Sequence, residues 1–238
     1  MAVHAKRLWA VIAAAGTGQR MGQDLPKQYQ TIAGRYVLAW SVETLLTLSD
    51  LQGLMIAHSP GDTQWRECVP TPAPLVHGCE GGSTRAQSVR LALEALEALG
   101  ACAEDWVLVH DAARPAISRA DIDQLIAGVG DDPDGGLLAV PVRDTLKRVD
   151  ANARVEATIN REQLWQALTP QYFPLGRLAL ALRQADPQHT TDEAQAMEQM
   201  GAKPQLIAGL PSNIKLTTPA DEPWLAATLA ARSTKEVH

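Results

Sequence analysis

Short, unbroken apolar runs alternate along this chain with longer stretches whose apolar positions recur at helical spacing. Residues 8–13 form the first such run and end in a glycine loop, the pattern of a parallel strand buried on both faces. Runs at 54–57, 106–109 and 137–140 read the same way, with helices predicted over 37–48, 86–99 and 120–127. Strand and helix in alternation imply βαβ units. The predicted fold class is therefore α/β, a three-layer sandwich on a mainly parallel sheet with its loops gathered at the carboxyl ends of the strands.

Between residues 144 and 162 the texture changes. Leu146, Val149, Val155 and Ile159 stand among charges, and Asp150-Ala151-Asn152 suits a turn, so a projecting β-hairpin arm is predicted at about 142–162. A two-stranded arm is marginal alone in water, which points to packing against a second subunit. Helices at 175–184 and 192–200, a strand at 205–208 and a last helix after Thr218-Pro219 complete a single predicted domain over 1–238, without internal repeats.

Composition narrows the class. The 238 residues are 46% hydrophobic with one Phe and three Tyr, so the core is built mostly from Ala, Leu, Val and Ile. A net charge of -6 gives no general reason to hold nucleic acid, although a local group of Lys and Arg suits a small polyanion. Cys68, Cys79 and Cys102 form no CxxC pair, against both a disulfide framework and a thiolate zinc site. No apolar run approaches the roughly 20 residues that span a bilayer. A cytoplasmic protein with reduced thiols is expected.

The first loop, Ala13-Ala14-Ala15-Gly16-Thr17-Gly18-Gln19-Arg20-Met21-Gly22, is built of small residues that let backbone N–H groups approach a polyphosphate. It matches neither common nucleotide fingerprint: Met21 stands where a dinucleotide loop has Gly or Ala, and the Walker spacing is absent. Arg20 and Lys27 follow closely, the latter after Pro26, so two cations can converge on the loop. Such a pair suits phosphoryl chemistry, in which an ionised acceptor needs no side-chain nucleophile. Two solvated surface charges are the alternative.

In Gly81-Gly82-Ser83-Thr84-Arg85-Ala86-Gln87-Ser88 either Ser83 or Thr84 can cap a helix whose free N–H groups face a ligand. Val109-His110-Asp111-Ala112-Ala113-Arg114-Pro115 closes a predicted buried strand at the end where doubly wound sheets place ligands. Asp111 is a candidate magnesium ligand, sufficient alone beside a triphosphate, or else a structural ion-pair partner of Arg114. His110 reads as a packed or orienting residue. Thr191-Asp192-Glu193 reads as a helix cap, and Lys215 as a lysine within reach of the same anionic pocket.

In order, AAAGTGQRMG, PKQY, GGSTRAQSV, VHDAARP, PVRDTLKR, ALTPQ, TDEA and NIK make the chain similar, across residues 8–232, to the 2-C-methyl-D-erythritol 4-phosphate cytidylyltransferases of the non-mevalonate isoprenoid pathway. The resemblance implies a nucleotidyltransferase (Rossmann-like) fold and transfer of the cytidylyl group of CTP to methylerythritol phosphate with release of pyrophosphate. It implies that Ala14, Ala15, Gly16, Thr17, Gly18, Gly82, Ser83 and Ser88 hold CTP, while Arg20 and Lys27 stabilise the α-phosphorus. Asp111, Ala112, Arg114, Thr169, Thr191 and Lys215 would line the acceptor side, with magnesium or a similar divalent cation bridging triphosphate oxygens. The arm would be exchanged in a homodimer, carrying Thr145 and Arg161 to the neighbouring site. Ser83 departs from the acidic residue that members often carry near the cytosine. A pentitol phosphate cytidylyltransferase acting on ribitol 5-phosphate, and a CTP-binding sensor without turnover, are the competing functions.

Overall fold

The computed structural model describes residues 6–16 and 25–235. In chain order the elements are β1 (Leu8–Ala13), β2 (Thr31–Ile32), β3 (Arg35–Tyr36), α1 (Val37–Leu46), β4 (Leu51–His58), β5 (Val76–Glu80) and α2 (Arg85–Ala98). They continue with β6 (Trp106–Asp111), α3 (Arg119–Val129), β7 (Gly136–Pro141), β8 (Leu146–Val149), β9 (Val155–Ile159) and β10 (Trp165–Pro174). Last come α4 (Leu175–Gln184), α5 (Glu193–Gln199), β11 (Gln205–Ala208) and α6 (Glu222–Lys235).

Seven strands form one sheet in the order β11-β7-β10-β6-β1-β4-β5, with β10 antiparallel to both its neighbours and the remaining pairings parallel. This is the predicted mainly parallel α/β sandwich. β1 lies between β6 and β4, and its alternate residues enter two cores. Ala10 and Ile12 pack with Leu38, Val42 and Leu45 of α1 and Ile122 and Leu125 of α3. Trp9 and Val11 pack on the opposite face with Val89, Leu93 and Leu96 of α2, Leu178 of α4 and Met197 of α5. A fully buried Leu or Ile of this kind contributes about 1.5–3 kcal/mol through burial. α6 completes the fold by setting Leu225 and Leu229 against Val37 and Trp40.

The predicted hairpin is present as a separate two-stranded sheet of β8 and β9, with Asp150 Oδ1 accepting from the N–H groups of Asn152 and Arg154 in the turn. Two strands were absent from the sequence reading. β5 is an edge strand containing Gly78, and β10 carries Pro170 inside a segment that mixes polar, aromatic and aliphatic residues. β2 and β3 were likewise unpredicted; Ala33 and Gly34 join them, both at positive φ, which gives the strands the twist of a type I′ hairpin. Among the described residues no helix is long and apolar enough to cross a membrane.

Candidate active site

The register of the sheet sets Ala13, Ala57 and Asp111 side by side at the carboxyl ends of β1, β4 and β6. Beyond them opens a cavity of about 400 Å³ lined by residues of all three sequence segments singled out above. Ala14, Ala15 and Gly16 form its floor. Their backbone is fastened from behind: Ala14 N–H donates to Ala57 O at 2.8 Å, Gln28 Nε2 to Ala14 O at 2.8 Å and Ser59 Oγ to Ala15 O at 3.1 Å. Thr17, Gly18 and Arg20 lie outside the described residues.

Lys27 lines the same cavity from the short 3-10 turn 27–29. Pro26 precedes it with φ -54°, and the turn is closed by Tyr29 N–H on Pro26 O at 2.9 Å. Gln28 and Tyr29, both buried, root the turn in the protein, so Lys27 is carried on fixed backbone.

The opposite wall is Gly82, Ser83, Thr84 and Ser88 at the start of α2. Thr84, not Ser83, is the cap, with Oγ1 accepting from Gln87 N–H at 3.1 Å. Ser83 gives both its N–H and its hydroxyl to Gln87 Oε1, at 2.9 and 3.0 Å. Ser88 is nearly fully buried: its hydroxyl donates to Thr84 O at 2.8 Å and accepts from Gly82 N–H at 3.0 Å. It therefore shapes the glycine wall while reaching the cavity. A Cβ on neighbouring Gly81 would stand 2.6 Å from Ala15 Cβ and 2.8 Å from Ser88 Oγ, so glycine is needed for the two loops to meet. The amino end of a 14-residue helix thus faces the cavity with partial positive charge.

Asp111 is the one carboxylate among the described residues lining the cavity. Oδ1 accepts from Arg85 Nε at 2.8 Å and Oδ2 from Lys215 Nζ at 2.7 Å, whereas Arg114 Nε stays 3.9 Å from Oδ2. The alternative reading of Asp111 as an ion-pair partner of Arg114 is therefore met by the weakest of the three contacts. Burial alone would raise the Asp111 carboxyl, but Arg85 and Lys215 reverse that and hold it well below the usual carboxylate range. Lys215 is fixed by its neighbours, since Leu216 N–H donates to Ala113 O at 2.8 Å and Asn213 Nδ2 to Thr169 O at 2.8 Å.

Lys215 also borders a second cavity, about 240 Å³, shared with Arg114, Asn213 and Ala167. Arg114 donates from Nη1 to Asn213 O at 2.8 Å, and its Nε, like Asn213 Oδ1, is buried without a hydrogen-bond partner. Buried donors and acceptors left without partners cost about 1–3 kcal/mol each. Ala112 lines the first cavity.

Thr169 lines neither cavity and is 4% exposed. Its hydroxyl accepts from Asp111 N–H at 3.0 Å and contacts His110 Nδ1 at 3.0 Å. His110 Nε2 lies 3.1 Å from the Arg114 carbonyl, which can only accept, so Nε2 carries the proton and Thr169 donates to Nδ1. His110 is thus the orienting residue expected. Burial holds its imidazole down to about 4. An unfolded histidine near 6.5 takes up a proton that the folded one refuses, so stability falls as pH drops below about 6.5. Urea unfolding is expected to show a loss of roughly 2 kcal/mol between pH 7 and 5, largely absent in His110→Gln.

Thr191 is exposed and gives its hydroxyl to Gln195 Oε1 at 3.0 Å; Asp192 is the cap of α5, accepting from Gln195 N–H at 2.9 Å, as the sequence suggested. Thr145 and Arg161 sit together on the exposed arm, Arg161 Nη1 donating to Thr145 Oγ1 at 3.3 Å, and line neither cavity within one chain. Two residues at the site carried no binding role in the sequence reading, Glu193 having been read only as part of a helix cap. Arg85 lines the cavity and Glu193 lies buried behind it.

Residues 8–230 match the family model described as IspD, 2-C-methyl-D-erythritol 4-phosphate cytidylyltransferase. A Pseudomonas fluorescens protein of that name is 50% identical over 226 residues, 94% of this chain and 96% of its own length. The Ectopseudomonas mendocina protein of the same name is 47% identical, covering 92% and 94%. A solved 4-diphosphocytidyl-2C-methyl-D-erythritol synthase superposes with a TM-score of 0.83 at 36% identity, over 94% of this chain and 99% of that one. The Francisella tularensis cytidylyltransferase does so with 0.80 at 30%, over 94% and 100%. A glycine floor, a capped helix wall and an aspartate clamped by cations at the strand ends thus coincide with a match along nearly the whole sequence, and the chain belongs to the 2-C-methyl-D-erythritol 4-phosphate cytidylyltransferase (IspD) family.

Proposed function

We infer that this protein transfers the cytidylyl group of CTP to 2-C-methyl-D-erythritol 4-phosphate, giving 4-diphosphocytidyl-2-C-methyl-D-erythritol and pyrophosphate. The observation that carries this reading is the meeting of Lys27, the amino end of α2 and the Asp111–Lys215 pair in one cavity. Ala14, Ala15, Gly16, Thr17, Gly18, Gly82, Ser83 and Ser88 hold CTP. Lys215 borders both cavities, which suits an acceptor phosphate near Lys215 and a polyol extending toward Arg114 and Asn213.

An ionised oxygen of the acceptor phosphate attacks the α-phosphorus in line, forming one P–O bond as the bond to the β-phosphate breaks and pyrophosphate leaves. No general base is needed. Lys27 and Arg20 balance the charge that builds on the α-phosphoryl oxygens. Asp111 accepts from Lys215 and keeps its ammonium aimed, Ala112 shapes the wall, Arg114 supplies a second cation, Thr169 sets the Asp111 backbone, and Thr191 borders the acceptor. Asp111, the one carboxylate among the described residues lining the cavity, has on each oxygen a lone pair beside the single hydrogen bond it accepts, so it would help hold a magnesium ion brought in with the triphosphate. Such an ion would neutralise charge on the triphosphate oxygens.

Thr145 and Arg161 reach the acceptor of the partner subunit in a homodimer with exchanged arms. Val149 and Val155, at 51% and 62% exposure, give the arm an apolar surface that a partner would cover, and Trp165 at the start of β10, 40% exposed, extends it at the arm's base. Arg161→Ala is expected to raise KM for methylerythritol phosphate by about 10-fold while CTP affinity is kept, read by steady-state kinetics and calorimetry. No disulfide joins Cys68, Cys79 or Cys102, which favours a cytoplasmic site of action.

The reading is tested by pyrophosphate release from CTP and magnesium with methylerythritol phosphate or ribitol 5-phosphate as acceptor. Faster release with methylerythritol phosphate supports it; preference for ribitol phosphate, or CTP binding without release, contradicts it.

A further inference from the structure

Between the cavity wall and the interior lies an ion pair, partly exposed Arg85 with buried Glu193, that the reaction above does not use. Glu193 is fully buried at the first position of α5, and Arg85 occupies the first position of α2. Glu193 Oε1 accepts from Arg85 Nη1 at 2.6 Å and Oε2 from Nη2 at 3.0 Å. With both oxygens accepting, Glu193 is a carboxylate, and the guanidinium is gripped by a two-pronged fork. The remaining edge of that guanidinium, Nε, donates to Asp111 Oδ1 at 2.8 Å. Turning Arg85 in any direction breaks at least one of these bonds.

Glu193 is in turn fixed to the sheet. Gln171 of β10 donates from Nε2 to Asp192 Oδ2 at 2.9 Å and accepts at Oε1 from Ala194 N–H at 2.8 Å, holding the first turn of α5 from both sides. The chain of contacts therefore runs from β10 through Glu193 and Arg85 to Asp111, and from Asp111 Oδ2 to Lys215 at 2.7 Å. Arg85 also lines the cavity assigned to the triphosphate. A guanidinium left loose there would swing onto phosphate oxygens, for which its fork is well matched.

We propose that Glu193 is a positioning residue for the acceptor side. By occupying both prongs of Arg85 it keeps that guanidinium off the substrate phosphates and points its Nε–H at Asp111, which then holds Lys215 where the acceptor binds. The proposal rests on the cytidylyltransferase reading, and the wild-type rate in the same assay tests that reading separately.

Two variants provide the test. Glu193→Gln keeps the shape but releases one prong of Arg85; kcat/KM for methylerythritol phosphate is expected to fall by roughly 10-fold to 10²-fold, the scale of a small misplacement of a binding group, with the Kd for CTP within about 3-fold of wild type. The double variant Arg85→Gln/Glu193→Gln removes both charges of the pair together. Its melting temperature is expected to lie nearer wild type than that of Arg85→Gln alone, because no buried charge is left unpaired, yet kcat/KM for the acceptor stays low because Asp111 has lost its Arg partner. If Glu193→Gln does not fold, the double variant decides. Recovery of wild-type acceptor kcat/KM in the double variant, or an equal loss of CTP affinity in Glu193→Gln, overturns the proposal and leaves the pair as internal packing.

Discussion

Lys27→Ala is expected to lower turnover by about 10²-fold or more, the scale of removing one preorganised donor that meets charge developing in a transition state. The expectation follows from how Lys27 is carried. Its turn is closed by the Tyr29–Pro26 hydrogen bond and rooted by buried Gln28, whose side chain also ties down the Ala14 carbonyl. The ammonium and the glycine floor thus share one rigid support. Little reorganisation remains when the α-phosphoryl group gains charge, and alanine removes the charge without disturbing Gln28 or Tyr29. Thermal melting close to wild type with turnover reduced at saturating substrates is the expected pattern. Near-normal turnover would remove Lys27 from the chemistry.

Asp111→Asn is expected to be nearly as damaging, by roughly 10²-fold in kcat/KM for the acceptor, and in addition to lower stability by about 3 kcal/mol. The carboxylate stands between Arg85 and Lys215, with Arg114 beyond. Replacing it by a neutral amide leaves these cations facing one another in a largely buried site, the situation that makes a broken buried ion pair costly. Lys215 then has no acceptor to aim it. Denaturant unfolding reads the stability loss, and kinetics with each substrate varied in turn reads the acceptor defect. A variant of wild-type stability that loses CTP affinity alone would place Asp111 on the nucleotide side instead.

Much of this was legible in the sequence, for identifiable reasons. β1, β6 and β7 are buried on both faces, so their apolar runs stand out, and the loops after them carry the small and charged residues of the site. The hairpin arm was visible in its change of texture. β10 was not, because it pairs antiparallel inside a parallel sheet and takes its stability from the neighbours β6 and β7 rather than from any periodicity of its own. At the site, Asp111 and Lys215 were found but their arrangement was not. Whether Asp111 faces Arg114 three residues away or Arg85 on another element depends on how β6 and α2 are packed, which local spacing cannot express. Glu193 shows the same limit: adjacent residues mark it as the start of a helix, while its full burial is set by an arginine 108 positions away. Thr169 reads as an acceptor-side residue, and the structure gives its hydroxyl to His110 and the Asp111 backbone.

The most direct test of the proposed chemistry follows the bridging oxygen. Methylerythritol phosphate labelled with ¹⁸O in its phosphate is incubated with CTP, magnesium and the protein, and the products are examined by ³¹P NMR. Direct attack by the acceptor phosphate predicts a diphosphate product with the label in the bridge and on the acceptor-side phosphorus, together with unlabelled pyrophosphate. Label in the pyrophosphate, or release of CMP without a diphosphate product, would contradict it.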